Sequence, residues 1–394
     1  MKKQTQAIHL EYERRDAYDS LSVPVYNTLA YEFDNAAVMA EAFTDKIKAP
    51  DYSRVENPTV TNLERRVAAL TDAAHATAFN SGMAAISNTL MALAAQGKNI
   101  VTSKHLFGNT YALLVATLRR FGVKVRLRDL TDIEAVREAI DDDTCCVFLE
   151  ILTNPQLEVA DLKAISEVAH EKNVPLVVDS TVIPFTQFSA KSLGVDIEVV
   201  SSSKYVSGGA TSLGGLVIDY GTPYNGDFAK RLYGEMLFNF GAYMTPQVAY
   251  MQTIGLETLD ARYRVQSSNA LELAKKLRSL PQIKYVNYVG LEDNPYHELA
   301  QRQFGKTAGA MICIDLESKE ACFSFLNNLK LIHRATNLFD NRSLAIHPAS
   351  TIFGAFSDNM RKSMNVKDTT IRLSLGLEDV DDLFEDIKQA VDSL

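Results

Sequence analysis

The run Ile197, Glu198, Val199, Val200 closes through Ser201, Ser202 and Ser203 on Lys204, with Gly208, Gly209 and the pair Gly214, Gly215 beyond it. An amine at the end of an apolar strand can lose solvent, fall in pKa and condense with an aldehyde as a Schiff base. Upstream, Pro175, Leu176, Val177 and Val178 lead to Asp179. A carboxylate at a neighbouring strand end can keep a proton on a pyridine nitrogen, so that the ring accepts the electrons of a carbanion. Singly, Lys204 reads as a solvated charge and Asp179 as a helix cap. Together they point to pyridoxal phosphate.

Other residues fall at the same kind of position. Asn80, Ser81, Gly82 and Met83 follow one strand candidate and open the run Ala84, Ala85, Ile86, where backbone N–H groups at a helix N-terminus suit a phosphate or simply a capped turn. Ser201 and Ser203 are two apart and so share a strand face; their hydroxyls suit the same phosphate or a satisfied strand end. Asn154, in Glu150 to Pro155, fits either a contact to a ring hydroxyl or an Asn-Pro turn. Arg54, in Tyr52 to Thr59, could fork a phosphate dianion, although exposed arginines are common. Arg372 stands between Ile371 and Leu373, and a buried guanidinium needs an anion, from a substrate α-carboxylate or from an internal acid. The seven histidines show no metal-ligand spacing, so no metal is expected.

The elements that must position these groups follow from the pattern of apolar runs. Seven strand candidates are Ala76 to Phe79, Ile100 to Thr102, Val123 to Leu127, Cys146 to Leu149, Leu176 to Val178, Glu198 to Ser201 and Leu216 to Ile218. Helical patterns alternate with them, which predicts an α/β fold with a mostly parallel sheet, binding its ligand beyond the carboxyl ends of the strands. Thr131 and Glu134 read as a capping box, and Asp161 as a cap for the stripe Leu162, Ile165, Val168. A long helix is expected from about Leu256 through Leu277, leading into a smaller α+β unit with strands at Met311 to Asp315 and Ile371 to Leu375 and a last helix through Val380, Leu383, Ile387 and Val391. The expected organisation is an N-terminal arm over residues 1–55, a large cofactor-binding domain over 56–250 and a C-terminal α+β domain over 251–394.

A chain of 394 residues with 46% apolar content can bury two cores. Its net charge of -9, spread without a basic cluster, argues against nucleic acid or an anionic membrane as partner. Cys145, Cys146, Cys313 and Cys322 match neither a metal site nor a disulfide framework, and there is no apolar leader or membrane-spanning run. A cytoplasmic protein acting on small molecules is expected.

In this order the segments Tyr52 to Thr59, Ser81 to Met83, Glu150 to Pro155, Asp179 with Thr181, Ser201 to Gly215, Leu256 to Leu259, Ser343 to Ser350 and Arg372 to Gly376 resemble the Cys/Met metabolism family of pyridoxal phosphate enzymes. The resemblance implies a fold type I enzyme with Lys204 as the Schiff-base lysine and Asp179 on the pyridinium. It implies Ser81, Gly82, Met83, Ser201 and Ser203 around the phosphate, with Thr181 and Phe107 also at the cofactor. Tyr52 and Arg54 are implied to reach a neighbouring subunit's cofactor, in a homotetramer built as a dimer of dimers. Arg372, Ser343 and Asn154 are implied to receive the substrate carboxylate.

Finer features resemble the sulfhydrylases, chiefly the segment Asn337 to Thr351. Cystathionine-using relatives commonly carry glutamate where Arg342 stands, and a cation there would repel the substrate's distal ammonium. Methionine γ-lyases typically carry cysteine at the position of Asn109. The implied activity is γ-replacement on an O-acylhomoserine with sulfide or a thiol, O-acetylhomoserine sulfhydrylase-like, in methionine biosynthesis; the alternative is elimination by a methionine γ-lyase or a cystathionine lyase or synthase. Phe107 replaces a usual tyrosine, keeping the stacking ring and losing the phenol proton. Ser180 and Gly209 replace a usual asparagine and histidine.

Overall fold

The computed structural model describes residues 1–10, 16–44, 46–306 and 308–394. Seven strands form one sheet: β1 (His75–Phe79), β2 (Asn99–Ser103), β3 (Lys124–Arg128), β4 (Thr144–Glu150), β5 (Leu176–Asp179), β6 (Ile197–Val200) and β7 (Gly215–Asp219). Their spatial order is β1-β7-β6-β5-β4-β2-β3, and only β7 runs against its neighbours. All seven coincide with the apolar runs in the sequence. A parallel sheet covered on both faces is buried on both, so its strands read as near-continuous apolar segments. Leu176, Val177 and Val178, all fully buried, show the effect: Val177 packs into the cluster on one face of the sheet, Leu176 and Val178 into that on the other.

A second sheet is formed by β8 (Tyr285–Asn287), β9 (Met311–Asp315), β10 (His333–Arg334), β11 (Leu344–Ile346) and β12 (Thr370–Ser374) in the order β10-β11-β12-β9-β8. The terminal helix Val380–Val391 buries Leu383, Ile387, Ala390 and Val391, the stripe its spacing predicts. Ahead of β1 lie two short helices, Lys3–His9 and Ala36–Ala42, and the longer Pro58–Thr71, whose N-cap is Asn57.

Two local expectations change. The helix after β3 is Ile133–Ala139, and its cap is Asp132, whose side chain accepts from the Ala135 N–H at 3.1 Å. Thr131 is instead held by Asp129, and an aspartate is as good a cap as threonine. The long helix is two, Pro246–Glu257 and Leu259–Leu277, interrupted at Thr258. Arg262 crosses that break, donating to the Gly255 carbonyl at 2.6 Å and to the Thr258 hydroxyl at 3.1 Å.

Register brings three strand ends to one edge. Glu150 lies opposite Asp179 across β4 and β5, and Asp179 opposite Val199 across β5 and β6. The turn Ser201 to Lys204 follows at that edge, and the helix Gly82–Leu93 begins there after β1.

Candidate active site

Lys204 sits in the turn after β6, largely withdrawn from solvent, with its ammonium donating to Asn337 Oδ1 at 2.8 Å. Burial, with a smaller contribution from the Arg372 charge, brings its pKa down to about 8. Desolvation favours the neutral amine, which is the form that attacks an aldehyde.

Asp179 ends β5. Its carboxylate accepts from the Thr181 N–H at 2.9 Å, while the Thr181 hydroxyl accepts from the Ser201 N–H at 2.8 Å. Thr181 therefore fastens the carboxylate's strand to the serine turn that carries Lys204. Glu150, at the adjacent strand end, accepts from the Phe107 N–H at 2.5 Å. Burial and the nearby Asp179 charge push the Glu150 carboxyl up to about 8, and burial raises Asp179 as well. Two carboxyls so placed do not both ionise readily. A cation beside Asp179 would settle the proton on Glu150 and the charge on Asp179.

Ser81, Gly82 and Ser201 meet where the helix Gly82–Leu93 begins. The Ser81 hydroxyl caps it, accepting from the Ala84 N–H at 3.1 Å. A Cβ added at Gly82 would lie 2.6 Å from the Ser201 Cβ, and one at Gly215 would lie 2.1 Å from the Ser81 carbonyl oxygen. Glycine at both positions lets Ser201 and the Ser81 backbone pack directly against the helix N-terminus, whose free N–H groups suit a phosphate. Met83 lies one residue into that helix, its sulfur 4.0 Å from the Thr110 hydroxyl. Ser203 is turned elsewhere: its hydroxyl accepts from Gly214 N at 2.9 Å and donates to Gly214 O at 3.1 Å, securing the approach to β7.

Arg372, in the middle of β12, is buried, and among the described residues no carboxylate pairs with it. Its Nη1 donates to Asn154 Oδ1 at 3.1 Å and its Nη2 to the Asn337 carbonyl at 3.3 Å, while Nε has no partner. Burial lowers its pKa to about 10. Asn337 thus touches both Lys204 and Arg372, and sequence reasoning did not single it out; a lone asparagine in a loop carries no pattern. Glu150 carried the same signal as Asp179, an acid closing an apolar strand, and was passed over as a site residue.

Ser343 does not join this cluster. Its N–H and hydroxyl both go to Glu378, at 2.6 and 2.8 Å, and the hydroxyl accepts from Gly376 N at 2.9 Å. Tyr52 and Arg54 lie on the surface. The Arg54 guanidinium is 5.4 Å from the Tyr52 ring centroid and donates to the Phe238 carbonyl at 2.6 Å, and Tyr52 is 41% exposed. Phe107 caps the short helix Gly108–Ala112 with its ring half-buried.

A buried amine, a carboxylate one strand away, a glycine-lined helix N-terminus and a guanidinium without an anion fit pyridoxal phosphate and an amino-acid substrate. The comparisons agree. An L-methionine gamma-lyase of Fusobacterium nucleatum subsp. polymorphum is 37% identical over 394 residues, covering 99% of this chain and 98% of that one. The O-acetyl-L-homoserine sulfhydrylase of Corynebacterium glutamicum is 31% identical over 417 residues, covering 98% and 95%. A crystal structure of a putative O-acetylhomoserine (thiol)-lyase from Campylobacter jejuni, containing N'-pyridoxyl-lysine-5'-monophosphate, superposes with a TM-score of 0.95 at 34% identity over 100% of both chains. The family described as Cys/Met metabolism PLP-dependent enzymes matches residues 4–392, and the chain belongs to it.

Proposed function

We propose that the protein catalyses γ-replacement on an O-acylated homoserine: the Cγ–O bond breaks, sulfide forms the Cγ–S bond, and homocysteine and a carboxylate leave. Pyridoxal phosphate, when bound, supplies the electron sink that stabilises negative charge at Cα. Lys204 is the residue that would hold the cofactor's aldehyde, and its amine would take the Cα proton and return protons along the substrate. Its burial supports this, because an amine with a pKa of about 8 both accepts and releases a proton near neutrality. Asp179, fastened by Thr181, holds the ring nitrogen's proton. Ser81, Gly82, Met83 and Ser201 hold the phosphate, with Ser203 supporting the turn. Arg372, aligned by Asn154 and Asn337, takes the α-carboxylate; Ser343 supports that loop through Glu378 rather than by contact.

The observation that carries the choice of leaving group is Phe107. Its backbone is anchored on Glu150, its ring offers a stacking face, and it has no proton to give. An acylate leaves as a weak base, with a parent acid of pKa about 4, whereas a thiolate needs protonation near pKa 8.5 or above. An ester therefore tolerates Phe107 better than a thioether does. The second reading is methionine γ-lyase, favoured by the 37% identity to that enzyme of Fusobacterium nucleatum. Cystathionine fits less well, because Arg342 projects a half-exposed cation held by Asp340 at 3.2 Å.

Tyr52 and Arg54 complete the cofactor site of a neighbouring subunit, in a tetramer of two such dimers. Among the described residues no helix is long and apolar enough to cross a membrane. The test is product analysis with acetyl- and succinyl-homoserine, each with and without sulfide, and with methionine alone. Homocysteine that requires sulfide is expected; 2-oxobutyrate and ammonia from methionine, with no homocysteine, would replace this reading with the lyase.

A further inference from the structure

Glu198 lies in the middle of β6 opposite Val178 and is 0% exposed, although the proposed chemistry does not use it. Burying a carboxylate is costly, so its partners matter. One oxygen accepts the Ser180 hydroxyl and the other accepts the Tyr220 hydroxyl at 2.6 Å. Two O–H donors, one on each oxygen, match an ionised carboxylate, which only accepts. Ser180 is itself fully buried, directly follows Asp179, and donates its N–H to the Val199 carbonyl at 3.1 Å. Glu198 is therefore joined through one hydroxyl to the backbone next to the ring-nitrogen partner.

The other charges around this group are few. Lys3, on the N-terminal helix, faces Glu198 and Asp260, and its Nζ donates to the Phe188 carbonyl at 3.0 Å and the Phe185 carbonyl at 3.4 Å. Burial raises the Glu198 pKa, the Ser180 and Tyr220 hydroxyls and the Lys3 charge oppose that rise, and the Asp179 charge adds to it; Asp72 lies toward Tyr220. No lysine or arginine among the described residues forms an ion pair with Glu198, and the Lys3 charge offsets only part of its own.

We propose that Glu198, held by Ser180 and Tyr220, is a positioning residue for Asp179: it pins the turn that follows Asp179 and places a second negative charge behind the cofactor's ring nitrogen. The consequence is a more basic cofactor site. This rests on Asp179 being the ring-nitrogen partner, and it is independent of whether the reaction is replacement or elimination.

The experiment is a pH titration of the visible absorbance of the holoenzyme, comparing wild type with Glu198→Gln, Tyr220→Phe, Ser180→Ala and Asp179→Asn. Removing that negative charge moves the midpoint of Glu198→Gln down, by at most about one pH unit because Lys3 offsets part of it. Tyr220→Phe and Ser180→Ala, which weaken the anion without deleting it, move it the same way by less. If Glu198→Gln does not fold, Tyr220→Phe carries the test. A titration that superposes on wild type, with only thermal stability reduced, overturns the proposal and leaves Glu198 a structural acid. An unchanged titration in Asp179→Asn would instead remove the role of Asp179 on which it rests.

Discussion

Replacing Arg372 by methionine separates a substrate receptor from a structural ion. The drop of its pKa from the ordinary arginine value to about 10 corresponds to about 3 kcal/mol against the charged side chain in the folded state. The sign follows from the cation being the disfavoured form: the cost is fully present below about pH 10 and is relieved as pH rises toward the unfolded value. Methionine removes that cost but leaves Asn154 Oδ1 and the Asn337 carbonyl without their donor, at about 1 kcal/mol each. The free protein should therefore change in stability by no more than about 1 kcal/mol in either direction. Binding of the substrate carboxylate should fall far more, by about 2 to 5 kcal/mol, or roughly 30-fold to several-thousand-fold in kcat/KM. Denaturant unfolding of the holoenzyme, with and without a saturating unreactive amino acid, reads both quantities. Wild type should gain about 2.7 kcal/mol at a ligand concentration a hundred times its Kd, and the variant less than about 1 kcal/mol at the same concentration. A loss of 3 to 5 kcal/mol on substitution, the signature of a broken buried ion pair, with kcat/KM preserved, would refute the assignment.

Two further outcomes are expected. Because burial holds Lys204 near pKa 8, reconstitution of the apoprotein with pyridoxal phosphate should accelerate as pH rises from 7 to 9 and then level, followed by the appearance of visible absorbance; a rate still climbing tenfold per unit above pH 9 would mean an ordinary solvated lysine. If Arg54 completes a neighbouring subunit's site, Arg54→Ala and Lys204→Ala variants, each inactive alone, should recover about a quarter of wild-type activity when unfolded and refolded together at equal amounts, since half the dimers are then hybrids with one intact site; no recovery in a mixture shown by mass to contain hybrids would place Arg54 in its own subunit's site.

The large sheet was legible because burial on both faces makes each strand an apolar run, and Lys204 and Asp179 stood out as charges ending such runs. The second sheet was less so. β9 and β12 are five-residue runs, but β8, β10 and β11 have only two or three residues, too few for a period to register. Thr258 was hidden because Leu256 and Leu259 keep apolar spacing across the break. The exchange of Ser343 for Asn337 has a conformational cause. Phe339, between the two, adopts a left-handed φ of 56°, which breaks any regular alternation of side chains, so sequence spacing does not tell which one faces Lys204.

What the sequence could not convey is that the cluster is electrostatically incomplete. Arg372 is buried without an anion, Asp179 and Glu150 stand side by side with raised pKa values, and Lys204 is depressed toward neutrality. Each departure costs folding free energy, and on the proposed assignment each would be relieved by one part of a bound cofactor and amino acid: a carboxylate for Arg372, a ring cation for Asp179, an aldehyde for Lys204. A protein selected for stability alone would replace these groups with apolar ones. Binding of cofactor and substrate should therefore stabilise the fold by relieving these costs as well as by direct contacts. On the proposed assignment, cofactor and substrate binding should be coupled through Asn337, whose side chain meets Lys204 and whose carbonyl meets Arg372.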